Sequence, residues 1–156
     1  MLQSITSSCT TENSHGVPSI DYCSEALRQD LERVAKIWRD FQSSRARDAV
    51  YSYLAAIFAL VEWWEIDKRA ISRARLALRL RGIKIPDEIE PFAAVIVATS
   101  HPAKLEKRMI SKYSRVLRYA AKYKTRSEPL QRFVERKGGL NKCASRYARR
   151  LGRWAA

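Results

Sequence analysis

The sequence predicts an all-α protein of five to six helices around a central apolar helix, with a disordered N-terminal tail and a basic C-terminal helical hairpin. Three observations carry this. Apolar side chains recur at steps of three and four along most of the chain beyond residue 18, which is the spacing of one helical face. Glycine and proline fall between those stretches, at Gly82, Pro86, Pro102, Pro129 and Gly138, where they punctuate helices. The one run rich in β-branched residues, Phe92 to Ala98, has no second strand signal with which to pair, so it is assigned as a short buried helix.

Residues 1–18 are mostly Ser, Thr and small polar residues, too poor in apolar side chains to offset the entropy of ordering them. They are expected to form a disordered tail. A first helix starts at Asp21 or Ser24 and ends near Gln42. Its stripe is Leu27, Leu31, Val34, Trp38 and Phe41, and Glu32 with Lys36 adds a favourably ordered pair one turn apart.

Ser43 or Ser44 is the expected cap of the next helix, which runs through AVYSYLAAIFALVEWW, the most apolar segment of the chain. Val50, Leu54, Ile57, Val61 and Trp64 share a face, and Tyr53, Phe58 and Leu60 widen it until little solvated surface remains. Its uninterrupted apolar run before Glu62 falls short of the roughly 20 residues that a bilayer crossing needs, so it reads as the central buried helix. The stretch from Glu65 to Arg81 contains no glycine or proline, so the helix either continues to Arg81, which Glu65 with Arg69 favours, or bends where its apolar face drifts. Gly82 and Pro86 then end it.

Ser100 or His101 is expected to cap a basic helix with Pro102 in its first turn. On a helical wheel Leu105, Met109, Tyr113, Val116, Leu117 and Ala120 fall on one side, and Lys104, Arg108, Lys112, Arg115, Arg118 and Lys122 on the other. Two short helices follow around a glycine turn. Pro129 suits a first turn, Leu130, Phe133 and Val134 form an apolar edge, Gly138 stops the first helix, and Asn141 caps the second. In that second helix Ala144, Tyr147, Ala148 and Leu151 are expected to dock on Leu130 and Phe133, leaving Lys142, Ser145, Arg146 and Arg149 outward. This pair resembles a helix-turn-helix unit in general form.

The charge is divided along the chain. Of 30 Lys and Arg and 16 Asp and Glu, residues 101–156 hold 17 and 3, so the whole excess of +14 lies there. Residues 19–100 read as a neutral helical core and residues 101–156 as a basic segment packed on it. A charge excess confined to one segment is the footprint of a polyanion binder, and nucleic acid, with duplex DNA first, is the expected partner. The expected contacts are Lys104, Arg108, Lys112, Arg115, Arg118, Lys122, Lys142, Ser145, Arg146, Arg149 and Arg150, with Tyr119 as the base-stacking residue on the basic face.

Enzymatic signatures are sparse. The sequence has no GxxxxGK[ST], GxSxG or HExxH motif and only two histidines, His15 and His101. Cys9, Cys23 and Cys143 are odd in number and widely spaced, which fits neither a disulfide framework nor a zinc site. No cofactor or metal is expected. Cys143 lies beside Lys142 and Arg146, neighbours that lower a thiol pKa. The first residues carry neither Lys nor Arg and no apolar core of a secretory signal, so a reducing cytoplasm is the expected setting. Two alternatives to nucleic-acid binding remain: a helical adaptor whose basic face meets an acidic protein or anionic membrane, and a small metal-dependent nuclease or recombination enzyme using Glu62 and Glu65.

Overall fold

A computed structural model describes residues 20–103 and 105–154. The expected tail lies outside the described residues, as does Lys104. The described residues form seven helices and no strand: α1 (Ile20–Ser43), α2 (Ala49–Ile66), α3 (Ala70–Leu80), α4 (Pro91–Ser100), α5 (Lys107–Tyr123), α6 (Leu130–Arg136) and α7 (Leu140–Trp154). The all-α expectation holds, and the stretch Phe92 to Ala98 is helical.

α2 is central, touching α1, α3, α4, α5 and α6. Tyr53, Leu54, Ile57 and Trp64 are fully buried on it, and Phe58 and Val61 nearly so. It is the one described helix long and apolar enough to cross a bilayer, but five neighbouring helices occupy its apolar side. Its outer stripe stays open, with Trp63 at 53% and Ile66 at 77% exposure, so more solvated surface remains than the sequence suggested. α1 and α3 pack with α2 and α4, while α5, α6 and α7 pack on their other side. Neither α1 nor α3 touches α5, α6 or α7.

The seventh helix arises because the chain breaks after Ile66 instead of continuing to Arg81. At 100° per residue, Trp64 and Ala70 on one unbroken helix would point roughly 120° apart, yet both are buried. A turn at Asp67–Arg69 resets the stripe so that Ala70, Ala74, Ala77 and Leu78 also face inward. The turn is a helix stop in which Lys68 N–H bonds Glu65 O and Arg69 N–H bonds Trp64 O, both at 3.0 Å, with Lys68 at φ 55°. The same bond pattern ends α3, where Gly82 N–H meets Arg79 O and Ile83 N–H meets Leu78 O, and α6, where Gly138 N–H meets Glu135 O and Gly139 N–H meets Val134 O. Glycine marks the latter two stops in the sequence. Lysine hides the first.

Other boundaries shift for local reasons. Ser43 closes α1 and Ser44 accepts from Ala46 N–H at 3.2 Å in the following loop, so α2 begins after Asp48, with no side-chain cap. Ser100 ends α4 instead of capping α5, and His101 and Pro102 lie in the connection. A residue before proline disfavours helical backbone, and α5 starts only after Glu106. Pro129 occupies the cap position ahead of α6. Gly138 and Gly139, at φ 95° and 94°, both take left-handed backbone, so α7 starts at Leu140 and Asn141 is already inside it.

A side chain at φ 55° is strained by its Cβ, so Lys68→Gly should raise the unfolding free energy by about 0.5–1 kcal/mol after the added chain entropy of glycine is subtracted. Chemical denaturation of the two proteins measures this; a loss of stability would show that Lys68 makes a compensating contact.

Candidate nucleic-acid interface

The basic segment forms a face because α5 and α7 pack on each other along apolar strips. Tyr113, Val116, Leu117 and Ala120 of α5 are buried, as are Cys143 and Ala144 of α7. α7 packs chiefly along α5 and less on α6, so Leu130 and Phe133, both buried, are not its main support. Leu151, expected to dock inward, is 46% exposed, since α6 is only seven residues long.

Aromatic and cationic groups alternate across the α5–α7 seam. The Arg118 guanidinium lies over the Tyr147 ring at 4.9 Å, and the Arg150 guanidinium lies over Tyr123 at 4.5 Å. Arg150 also donates a hydrogen bond to the Tyr123 hydroxyl, and the Lys122 ammonium is 5.8 Å from the same ring. These pairs advance along both helices together, the geometry of helices running side by side in the same sense.

Arg108, Arg115, Lys122, Lys142, Ser145, Arg146, Arg149 and Arg150 are exposed, and Lys112 and Arg118 half-buried. On α7, Lys142, Ser145, Arg146 and Arg149 share one outward stripe and, with Asn141, line a shallow groove of about 340 Å³. Arg146 also donates to Lys137 O at 2.9 Å, which ties the start of α7 to the end of α6. Tyr119 departs from expectation. It is only 4% exposed, with its ring 4.8 Å from Tyr123 and 5.8 Å from Phe133. α6 covers that side of α5, so Tyr119 is a core residue and cannot stack on a base.

None of the described basic residues of this face forms an ion pair. The pairs among the described residues are Arg33–Asp30, Arg39–Glu32, Arg81–Glu32, Arg73–Asp67 and Arg136–Glu128. Four of the five lie in the neutral region, where they engage Arg33, Arg39, Arg73 and Arg81, and none involves a described cation of α5 or α7. Glu128 serves Arg136 through two bonds of 2.9 Å, and that guanidinium holds its carboxyl below the ordinary carboxylate value.

Two residues that sequence reasoning passed over shape the site. Tyr123 meets α7 only through tertiary packing, which no spacing reveals. Glu90 caps α4, accepting from Phe92 N–H at 3.1 Å and Ala93 N–H at 2.7 Å, and also from the Ser114 hydroxyl of α5 at 2.7 Å. Its position before Pro91 is the signal that could have found it, since proline favours the first helical position. Glu62 and Glu65 stand exposed on α2, and Asp67 pairs with Arg73 in the turn beyond. Among the described residues no three His, Cys, Asp or Glu come together as metal ligands.

Cys143 is fully buried. Burial pushes its thiol up, outweighing the opposite pull of Arg146 and Lys137, so the basic neighbours do not produce a reactive thiolate.

Comparison with protein-family models, curated proteins and solved structures gives no match. The functional reading therefore rests on geometry and charge.

Two measurements follow. Replacing Glu90 by Ala removes the α4 cap and leaves Ser114 without its acceptor, and should cost about 1–2 kcal/mol, with Glu90→Gln losing less; equal stability of all three proteins would remove the cap from the account. Peptide-resolved alkylation at neutral pH should leave Cys143 unmodified until denaturant is added, and rapid labelling of the native protein would contradict its burial.

Proposed function

We propose that this protein is a non-enzymatic nucleic-acid binder, a small regulator or accessory factor, whose α5–α7 face lies on the phosphates of duplex DNA. The observation that carries the reading is the set of cations on that face without carboxylate partners, in a segment that holds 17 Lys and Arg against 3 Asp and Glu. Unpaired Lys and Arg are free to replace the counterions condensed on a polyanion, and the release of those ions drives association.

α7 suits the task geometrically. Fifteen residues span about 22 Å at 1.5 Å per residue, and a major groove admits a single helix. The exposed stripe of Lys142, Ser145, Arg146 and Arg149 supplies phosphate donors and, through Arg146 or Arg149, the bidentate group that pairs with a guanine edge. Arg108 and Arg115 on α5 extend the contact beyond that groove.

Titration of labelled duplex DNA across a salt series tests this reading. If about six phosphates are neutralised, log affinity should fall against log salt with a slope near −5. Arg115→Glu together with Arg149→Glu should weaken binding to every duplex while leaving the melting temperature within a few degrees, because both side chains are exposed. A salt-independent affinity, or tighter binding to an acidic protein or anionic vesicles than to duplex at equal salt, would overturn the proposal.

A further inference from the structure

Beyond the outward basic stripe lies a cleft of about 540 Å³ between α2 on one side and α5 with α7 on the other. Its floor is mostly apolar, built from Val61 and, ahead of and within α4, Ile89, Pro91 and Phe92, together with Glu90, whose carboxylate is already taken up by the Phe92 and Ala93 N–H groups and the Ser114 hydroxyl. Its two walls carry opposite charge. Glu62 and Glu65 stand on the α2 wall, and Arg118, Lys122 and Arg150 on the facing wall beside Tyr123 and Tyr147.

Those charges do not meet. Neither glutamate forms an ion pair within the described residues, and both guanidiniums lie against tyrosine rings. Closing the cleft by direct ion pairing would neutralise it, whereas an open cleft with unpaired ends selects a ligand with two unlike ends. That ligand needs an anion for the arginines, hydrogen-bond donors for the glutamates, and a flat apolar middle for the floor and the tyrosines. The volume lies within the range of small-molecule sites.

We propose that the cleft holds one unpaired nucleotide whose base bears an exocyclic amine, cytidine, adenosine or guanosine, belonging to a strand whose neighbouring phosphates lie on the α5–α7 face. This rests on the nucleic-acid reading above and adds the feature that the face would recognise. The nucleotide's phosphate meets Arg118, Lys122 and Arg150, and its exocyclic amine donates to Glu62 or Glu65, as carboxylates accept from the amine of cytosine. Thymidine and uridine offer a carbonyl oxygen at the corresponding position, which two carboxylates repel. A paired base is unavailable unless it leaves the stack, so damaged, bulged or single-stranded positions enter most easily.

The test uses the full chain and fluorescently labelled duplexes that are identical except for a single unpaired C, A or T, beside the fully paired duplex. Unpaired C and A should bind about tenfold more tightly than unpaired T. Glu62→Gln with Glu65→Gln should erase that difference while affinity for the fully paired duplex stays the same or rises slightly, since two negative charges are lost from a surface position. Equal affinities for the three bulges in the unaltered protein, or a preference that survives both glutamine substitutions, would overturn the cleft assignment. Free cytidine and uridine monophosphates, followed by chemical shifts of labelled tyrosines, separate the two readings. Paired duplex bound in a salt-dependent way, without any nucleotide preference, removes the cleft and keeps the basic face. Shifts with cytidine monophosphate at Tyr123 and Tyr147, without duplex binding, keep the cleft as a nucleotide site and remove the strand. No response to any probe removes both.

Discussion

Burial of α2 is the constraint on which the remaining structure depends. Tyr53 sits at its centre with no solvent exposure. Its ring lies 4.9 Å from Trp38 of α1, and its hydroxyl is 2.8 Å from the Thr99 hydroxyl of α4, which in turn donates to Val95 O at 2.7 Å. The single polar atom of the Tyr53 side chain is thereby satisfied, as a buried hydroxyl must be. Burial also drives the phenol far above its ordinary pKa, so it stays neutral. With that group paired, Leu54, Ile57 and Val61 pack in the apolar core around it, and α1, α3, α4, α5 and α6 are held to one axis.

The layering that results also explains the charge distribution. Because α1 and α3 touch neither α5 nor α7, the carboxylates of the neutral half cannot reach the cations of the basic half. Exposed charges separated by more than about 8–10 Å are screened at physiological salt, so the two halves act as separate electrostatic surfaces on one core. Individual exposed ion pairs such as Arg39–Glu32 contribute little to stability. The described ion pairs of the neutral half take up Arg33, Arg39, Arg73 and Arg81, whereas no described cation of the α5–α7 face is paired.

Glu62 and Glu65 are the exception to this separation, because α2 borders both sides of the molecule and carries them to the edge of the basic face. Glu90 anchors the same region. By capping α4 and accepting from Ser114 it fixes the start of α4 against α5, and so sets the floor of the cleft without using its charge on a cation.

The sequence alone determined the helices with a single clear stripe, the buried identity of Trp38, Leu54, Ile57, Phe58 and Val61, and the location of the whole charge excess in residues 101–156. These depend on local spacing and composition, which the order of residues contains in full. It also marked the stops at Gly82 and Gly138, because only glycine takes left-handed backbone at no steric cost. Tertiary structure decided the rest. The stop at Lys68 carries no local marker and exists because Trp64 and Ala70 must face one core. Tyr119 was assigned to the basic side of a wheel, but α6 covers that flank, and a wheel holds no record of neighbours. Leu151 has an apolar side chain and a suitable register, yet its expected partner helix is too short to reach it. The meeting of Tyr123 with Arg150, and the placing of Glu62 across one cleft from the cations of α5 and α7, bring together residues far apart in sequence, and such an arrangement is fixed only when the apolar faces of α2, α5 and α7 pack.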